Sequence, residues 1–281
     1  MANCPRENVN NDSRRRDFEK RWQSRFAEFA TLHDDDAGIA GWSSSGLQTR
    51  FRFFTSLWRG AKAGALYIDA GCGAGTYSRW LADAGLRVVG VDYSQAALVK
   101  AKQREAVRIA YCAADASRLP FPDGSADGVL CFGVLQAVWD SEPFVLEAAR
   151  VLKPGGELWM DALNARGLRA IWDLTGRRMR GKPMHLRYES PRKLMMTLRS
   201  AGFGNLSRHW LPIMPARLRR IQPACESKAM QSVLDAIPAL GALVSHSFVI
   251  RGVLAEKRIP SLHDKASGSS EQARIFCAEM T

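Results

Sequence analysis

The sequence predicts an α/β domain on a doubly wound, mostly parallel seven-stranded sheet, with an N-terminal helical cap and helical insertions. Three observations predict it. From Ala65 to Leu163, short apolar runs alternate with amphipathic segments, the order in which parallel strands take covering helices. The runs are rich in Val, Leu and Ile, as in strands covered on both faces. Glycine or an acid ends most of them, where the chain must turn into the next element.

In chain order, residues 15–33 form an amphipathic helix, because Phe18, Trp22, Phe26, Phe29 and Leu32 advance by 4, 4, 3 and 3 and so gather in one stripe. Asp34, Asp35 and Asp36 with Gly38 interrupt it. A second helix covers 46–59, with Leu47, Phe51, Phe54 and Trp58 on one face and Gly60 as its stop. Neither has a sheet of its own, so both should lie against the α/β domain that begins at Ala65. ALYIDAG is the first strand, TYSRWLADAG a helix closed by Gly85, and LRVVGVD the second strand. SQAALVKAKQ is a helix capped by Ser94, VRIAYCAAD the third strand and DGVLCFG the fourth. PFVLEAARVL is the next helix, and KPGG turns the chain into the strand ELWMDAL.

Beyond Leu163 the alternation breaks. Residues 164–189 read as a basic helical arm. SPRKLMMTLRSAGF is a helix, capped by Ser190, opened by Pro191 and ended by Gly202. Strands near 204–211 and 246–256 complete the sheet, with a helix in MQSVLDAIPALGALV between them. The organisation is thus a helical cap (1–60), a core (61–163), a segment finishing the same domain (164–258) and a flexible tail (259–281).

At 281 residues, 46% apolar and 9% aromatic, the chain is too hydrophobic for disorder and long enough to bury a core. No stretch approaches the roughly 20 apolar residues of a membrane span, and MANCPRENVNNDSRRR lacks the apolar run of a secretion signal. A soluble, cytoplasmic protein is the expectation. Six scattered cysteines with no CxxC argue for free thiols and no metal site. The net charge of +12 is concentrated, because residues 161–225 hold 14 Lys and Arg against 3 Asp and Glu. Such focusing suits an anionic partner.

The central motif is Asp69-Ala70-Gly71-Cys72-Gly73-Ala74-Gly75, a tight turn between strand and helix whose glycines let backbone approach a ligand. Asp92, ending the second strand, can accept both hydroxyl protons of a ribose. A dinucleotide fingerprint would need glycine at position 76, which is Thr76. The acid beside the turn opposes a pyrophosphate and suits a cationic ligand.

DAGCGAG, VVGVDYS, AADASRLPFPDGSADGVLCFGVLQAV and EAARVLKPGGELWM, in unbroken order over 65–163, resemble class I S-adenosylmethionine-dependent methyltransferases. The likeness is to the branch with ubiquinone, menaquinone and small-molecule methylases (methyltransferase type 11), whose fold is Rossmann-like. The resemblance implies S-adenosyl-L-methionine as cofactor. Asp69, Ala70 and the backbone of Gly71, Cys72, Gly73 and Gly75 would hold its methionine part. Asp92 would bind the ribose with Tyr93 beside the adenine, Asp115 and Ala116 would meet the adenine, and Phe132, Gly133 and Leu135 would line the sulfonium side.

Relatives often carry a histidine pair where this chain has Gln136 and Ala137, so no histidine base is available there. No spacing selects a base among His185, Glu189, His209 and Asp140, and the catalytic residue is left unassigned. An aromatic roof (Trp42, Phe51, Phe53, Phe54, Trp58) opposite Arg166, Arg169, Arg177, Arg178, Arg180, Lys182 and Arg187 suits an acceptor with a ring or lipid part and an anionic group. The expected activity is O- or C-methylation of a small-molecule, lipid or glycan-precursor acceptor. The basic segment also leaves open an RNA or protein methyltransferase, a non-catalytic module, or peripheral contact with an anionic membrane.

Overall fold

The computed structural model describes residues 5–104, 109–214 and 216–255. Three helices lead: α1 (Pro5–Leu32), α2 (Asp36–Ile39) and α3 (Ser44–Leu57). The core then runs β1 (Leu66–Ala70), α4 (Thr76–Asp83), β2 (Arg87–Asp92), α5 (Gln95–Gln103), β3 (Ala110–Ala113), β4 (Ala126–Cys131), α6 (Glu142–Val151) and β5 (Leu152–Leu163). Beyond it come α7 (Leu168–Met179), α8 (Pro191–Ser200), β6 (Phe203–Leu211), a 3-10 turn, α9 (Gln222–Cys225), α10 (Lys228–Ala236), α11 (Pro238–Val244) and β7 (Ser247–Leu254).

The seven strands order as β3-β2-β1-β4-β5-β7-β6, with β7 antiparallel to both neighbours and the other pairs parallel. Alternate side chains feed two cores, as the pleat requires. Ile68, Val129 and Met160 face the layer of α6 and α8. Tyr67, Leu130 and Trp159 face the layer of α3 and α4, where Phe54 is fully buried between Tyr77, Trp80, Phe132 and Trp159.

Four expectations differ locally. The arm 164–189 is helical only over Leu168–Met179. Ser190 stands at the cap of α8 but makes no side-chain cap bond, unlike Ser94, which accepts from the Ala97 N–H. The helix foreseen in 230–244 is two, because Pro238 cannot donate the bond that would continue α10. The KPGG turn is absorbed into β5 as a bulge, where Ala126 and Gly128 of β4 face Leu152 and Glu157. The proposed tail from Ile259 lies outside the described residues. Among the described residues no helix is long and apolar enough to cross a membrane, and no cluster of three metal-ligating side chains occurs.

Candidate active site

Strand order reverses between β1 and β4, and in such sheets a crevice opens there at the carboxyl ends of the strands. A cavity of about 170 Å³ occupies it, floored by the strand ends and roofed by α1. Its wall takes Gly71 and Gly73 after β1, Asp92 and Tyr93 after β2, Ala114 to Ser117 after β3, and Phe132 to Val134 after β4.

The glycine turn sits where its sequence requires. Gly73 has φ +52°, and a Cβ there would meet nothing within 4 Å, so its open side faces the cavity. Its N–H donates to Asp92 Oδ2 at 2.9 Å, while Asp92 Oδ1 accepts from Ser94 N–H at 2.8 Å. Each carboxylate oxygen keeps a second lone pair for a ligand hydroxyl. Burial raises the Asp92 pKa above the ordinary carboxylate range, against the pull of these backbone donors.

Several of the other residues expected at the site lie behind it. Asp69 is buried and accepts from the Ser78 hydroxyl at 2.6 Å; burial pushes its carboxyl up to about 6. It does not line the cavity, and neither do Ala70, Cys72, Gly75 and Leu135. Cys72 is buried in the turn, Gly75 packs against Tyr111 and Ala101, and Leu135 belongs to the core. Asp115 does line it, with Oδ1 accepting from Ser117 N–H and the Ser117 hydroxyl, each at 2.8 Å. Phe132 stacks on Tyr77 at 4.6 Å between ring centres. Gly133 has φ +79°, and a Cβ on it would lie 2.1 Å from the Trp42 ring, so glycine is what lets Trp42 close down.

The roof is not the one the sequence indicated. Of the five aromatics expected there, Trp42 alone lines the cavity; Phe51, Phe53, Phe54 and Trp58 belong to the packing of α3 on the sheet. Trp22 and Phe26 of α1 take their place, and the Tyr93 hydroxyl donates to the Trp22 carbonyl at 3.3 Å. None of the seven basic residues assigned to the lid reaches the cavity wall. Arg177 lines an adjoining groove instead, and Arg187 reaches Asp140, which does line the cavity.

Two residues escaped notice. Arg50, 4% exposed, donates from Nε to Asp161 Oδ2 at 2.7 Å and from Nη2 to Ser247 Oγ at 3.1 Å, with its guanidinium 4.2 Å from the centre of the Trp42 ring. Asp161 Oδ1 accepts from Gly133 N–H at 2.6 Å, so this buried pair ties α3, β5 and β7 to the cavity wall. A signal existed. Arg50 falls on the apolar stripe of its helix, three after Leu47 and four before Phe54, and Asp161 lies inside an apolar strand.

The residues fit a nucleoside bearing a cationic amino-acid tail, with an open glycine turn, a carboxylate poised for hydroxyls, and aromatic walls. Residues 68–160 match the family described as Methyltransferase domain. A Mycolicibacterium smegmatis protein named a probable S-adenosylmethionine-dependent methyltransferase is 35% identical over 141 residues, 50% of this chain and 52% of that protein. The demethylmenaquinone methyltransferase of Beutenbergia cavernae is 39% identical over 109 residues, 36% of this chain and 45% of that protein. This chain thus spans about half the length of the curated relatives it matches. In the solved complex of the Haloferax volcanii Trm112 methyltransferase activator with a methyltransferase, one chain superposes with TM-score 0.59 at 18% identity, covering 82% of this chain and 98% of that one, a likeness of fold. Residues 68–160 are thus similar to a methyltransferase domain, and the glycine turn and the strand ends that floor the crevice lie within that stretch.

Proposed function

We propose that the protein methylates a small-molecule acceptor that carries an anionic group beside an apolar or aromatic part. One observation supports this most directly. Past Trp22 the cavity adjoins a groove between α1 and residues 183–185, walled by Phe18 and Met184 and by Arg21, Arg25, Arg177 and His185. Guanidinium groups beside apolar walls recognise an anion attached to such a body. The relatives' names include a demethylmenaquinone methyltransferase, itself named for a small-molecule acceptor.

S-adenosylmethionine, when bound, supplies an electrophilic methyl group on a positively charged sulfur. The chain's own task is then to align the acceptor and keep water out. Asp92 would hold the ribose, the backbone at Gly71 and Gly73 the amino-acid tail, and Asp115 the adenine. Trp22, Phe26 and Trp42 exclude water from the roof.

Of the four candidate bases, Asp140 alone lines the cavity; His185 lines the adjoining groove beside Asp173, Glu189 is buried with Arg187, and His209 stands beside Ser207 on β6. Asp140 is therefore the proton acceptor for a hydroxyl substrate. Asp140→Asn should lower kcat by roughly a hundredfold with cofactor binding unchanged. The acceptor is tested by labelled methyl transfer into lipid, nucleotide-sugar, RNA and protein fractions. Label in an anionic small molecule or lipid is expected, and label confined to RNA or protein would overturn the reading.

Binding should also depend on pH. A cationic ligand draws the proton off the buried Asp69, so below about pH 6 its binding releases one. Protonation of the free protein then competes with the ligand as pH falls. Affinity for S-adenosylmethionine, which carries the positive sulfur, should drop severalfold from about pH 7.5 to about pH 5 and be flat above that window. Calorimetry in buffers of different ionisation heat reads the released proton, and its absence would show that the Asp69 charge is not felt at the site.

A further inference from the structure

Helix α7 is built inside out. Its inward face carries the buried Ala170 and the polar Asp173 and Arg177, with Asp173 accepting from the Tyr188 hydroxyl at 3.1 Å and pairing with Arg177 at 3.4 Å. Its apolar side chains point to solvent. Leu168 is 59% exposed, Ile171 50%, Trp172 83% and Met179 83%. With Thr175 these positions fall within about a quarter to a third of the helical wheel, a continuous stripe flanked by the exposed Arg169 on one side and Arg178 on the other. Asn164 extends this surface, donating to the carbonyls of Ala242 and Ser245 at 2.6 and 2.9 Å. That holds the end of α11, with its exposed Leu243 and Val244, beside the start of α7.

An isolated exposed leucine needs no explanation, whereas an apolar stripe turned outward on a helix whose charged side chains pair on the inner side marks a contact surface. Its surroundings decide the partner. Residues 164–182 hold six Arg and Lys against the single acid Asp173, which faces inward. An apolar stripe bordered by arginines, whose long stems let the charge stay at a polar boundary, is the pattern of a helix lying in the surface of a bilayer.

We propose that α7, with the end of α11 beside it, docks this protein on an anionic membrane surface. Trp172, Ile171, Leu168 and Met179 enter the boundary between headgroups and acyl chains, and the flanking arginines pair with the anionic headgroups. The proposal stands apart from the methyltransferase reading, since no residue of this face lines the cavity.

The test is flotation of the full-length protein with vesicles of phosphatidylcholine alone and of equal parts phosphatidylcholine and phosphatidylglycerol. The wild type should float with the anionic vesicles and hardly with the neutral ones. Ile171→Ser with Trp172→Ser, and separately Arg169→Glu with Arg178→Glu, should each lower partitioning by roughly tenfold or more. All four side chains are exposed, so both variants should keep the wild-type melting temperature and S-adenosylhomocysteine affinity. No flotation of the wild type, or flotation indifferent to the serine pair, would overturn the proposal. So would a serine pair that merely converts a dimer to a monomer in sedimentation velocity, or a glutamate pair that abolishes RNA retention while leaving flotation intact.

Discussion

Asp92→Ala is expected to weaken S-adenosylhomocysteine binding by roughly a hundredfold. The carboxylate holds the glycine turn against β2 through Gly73 N–H and keeps lone pairs aimed at the cavity. Hydrogen bonds to a charged group contribute about 1.5–3 kcal/mol each, and about 1.4 kcal/mol is a factor of ten, so losing two of them reaches that size. The substitution also orphans the N–H groups of Gly73 and Ser94, which loosens the turn itself. Asp92→Asn retains an acceptor and should fall between the two. Calorimetric titration distinguishes these outcomes. Affinity of the alanine variant within about threefold of wild type would remove Asp92 from the site.

Arg50→Ala should be the most destabilising single change in the cap. It strands Asp161, 3% exposed, as an unpaired charge, leaves Ser247 Oγ without its donor, and opens space beneath Trp42. Breaking a buried pair from one side costs about 3–5 kcal/mol, which in a domain of this size lowers Tm by roughly 6–20 °C. Arg50→Met combined with Asp161→Leu removes both charges and should recover much of the loss. Recovery should stay incomplete, because Gly133 N–H loses the Asp161 oxygen that now satisfies it. Thermal melts of the three variants test this, and an Arg50→Ala Tm within about 3 °C of wild type would contradict a pair closed to water.

Much of the site was legible because it is local. Parallel pairing sets Asp69 opposite Gly90 and Ala70 opposite Val91, so the turn after β1 and the acid ending β2 must meet. Asp115 and Phe132, which the family resemblance implied, also lie on the cavity wall, just after β3 and β4. The acid run at 34–36 was legible only as an interruption. In the structure Asp36 takes the Thr76 hydroxyl at 2.6 Å and the Arg79 guanidinium, and Asp34 takes Lys100 at 2.9 Å. The run thereby pins the cap to α4 and α5. All three partners lie on elements distant in sequence, and no periodicity points to them.

The strand–helix alternation, the glycine turn after β1 and the acid that ends β2 were determined by the sequence alone. They depend on spacings within one βαβ unit, and backbone geometry converts such spacings into positions. What each exposed or apolar stripe touches was decided by the tertiary structure. Periodicity puts Trp22 and Phe26 on one face of α1, and Phe51, Phe54 and Trp58 on one face of α3, in the same manner. Only packing sends the first pair over the cavity and the second set onto the sheet. The same holds for α7, legible in the sequence only as part of a basic arm, whose apolar stripe faces outward while Asp173 makes its polar contacts inside. A helix's sequence settles which side chains travel together; the neighbour they meet depends on long-range contacts that compete for the same surface.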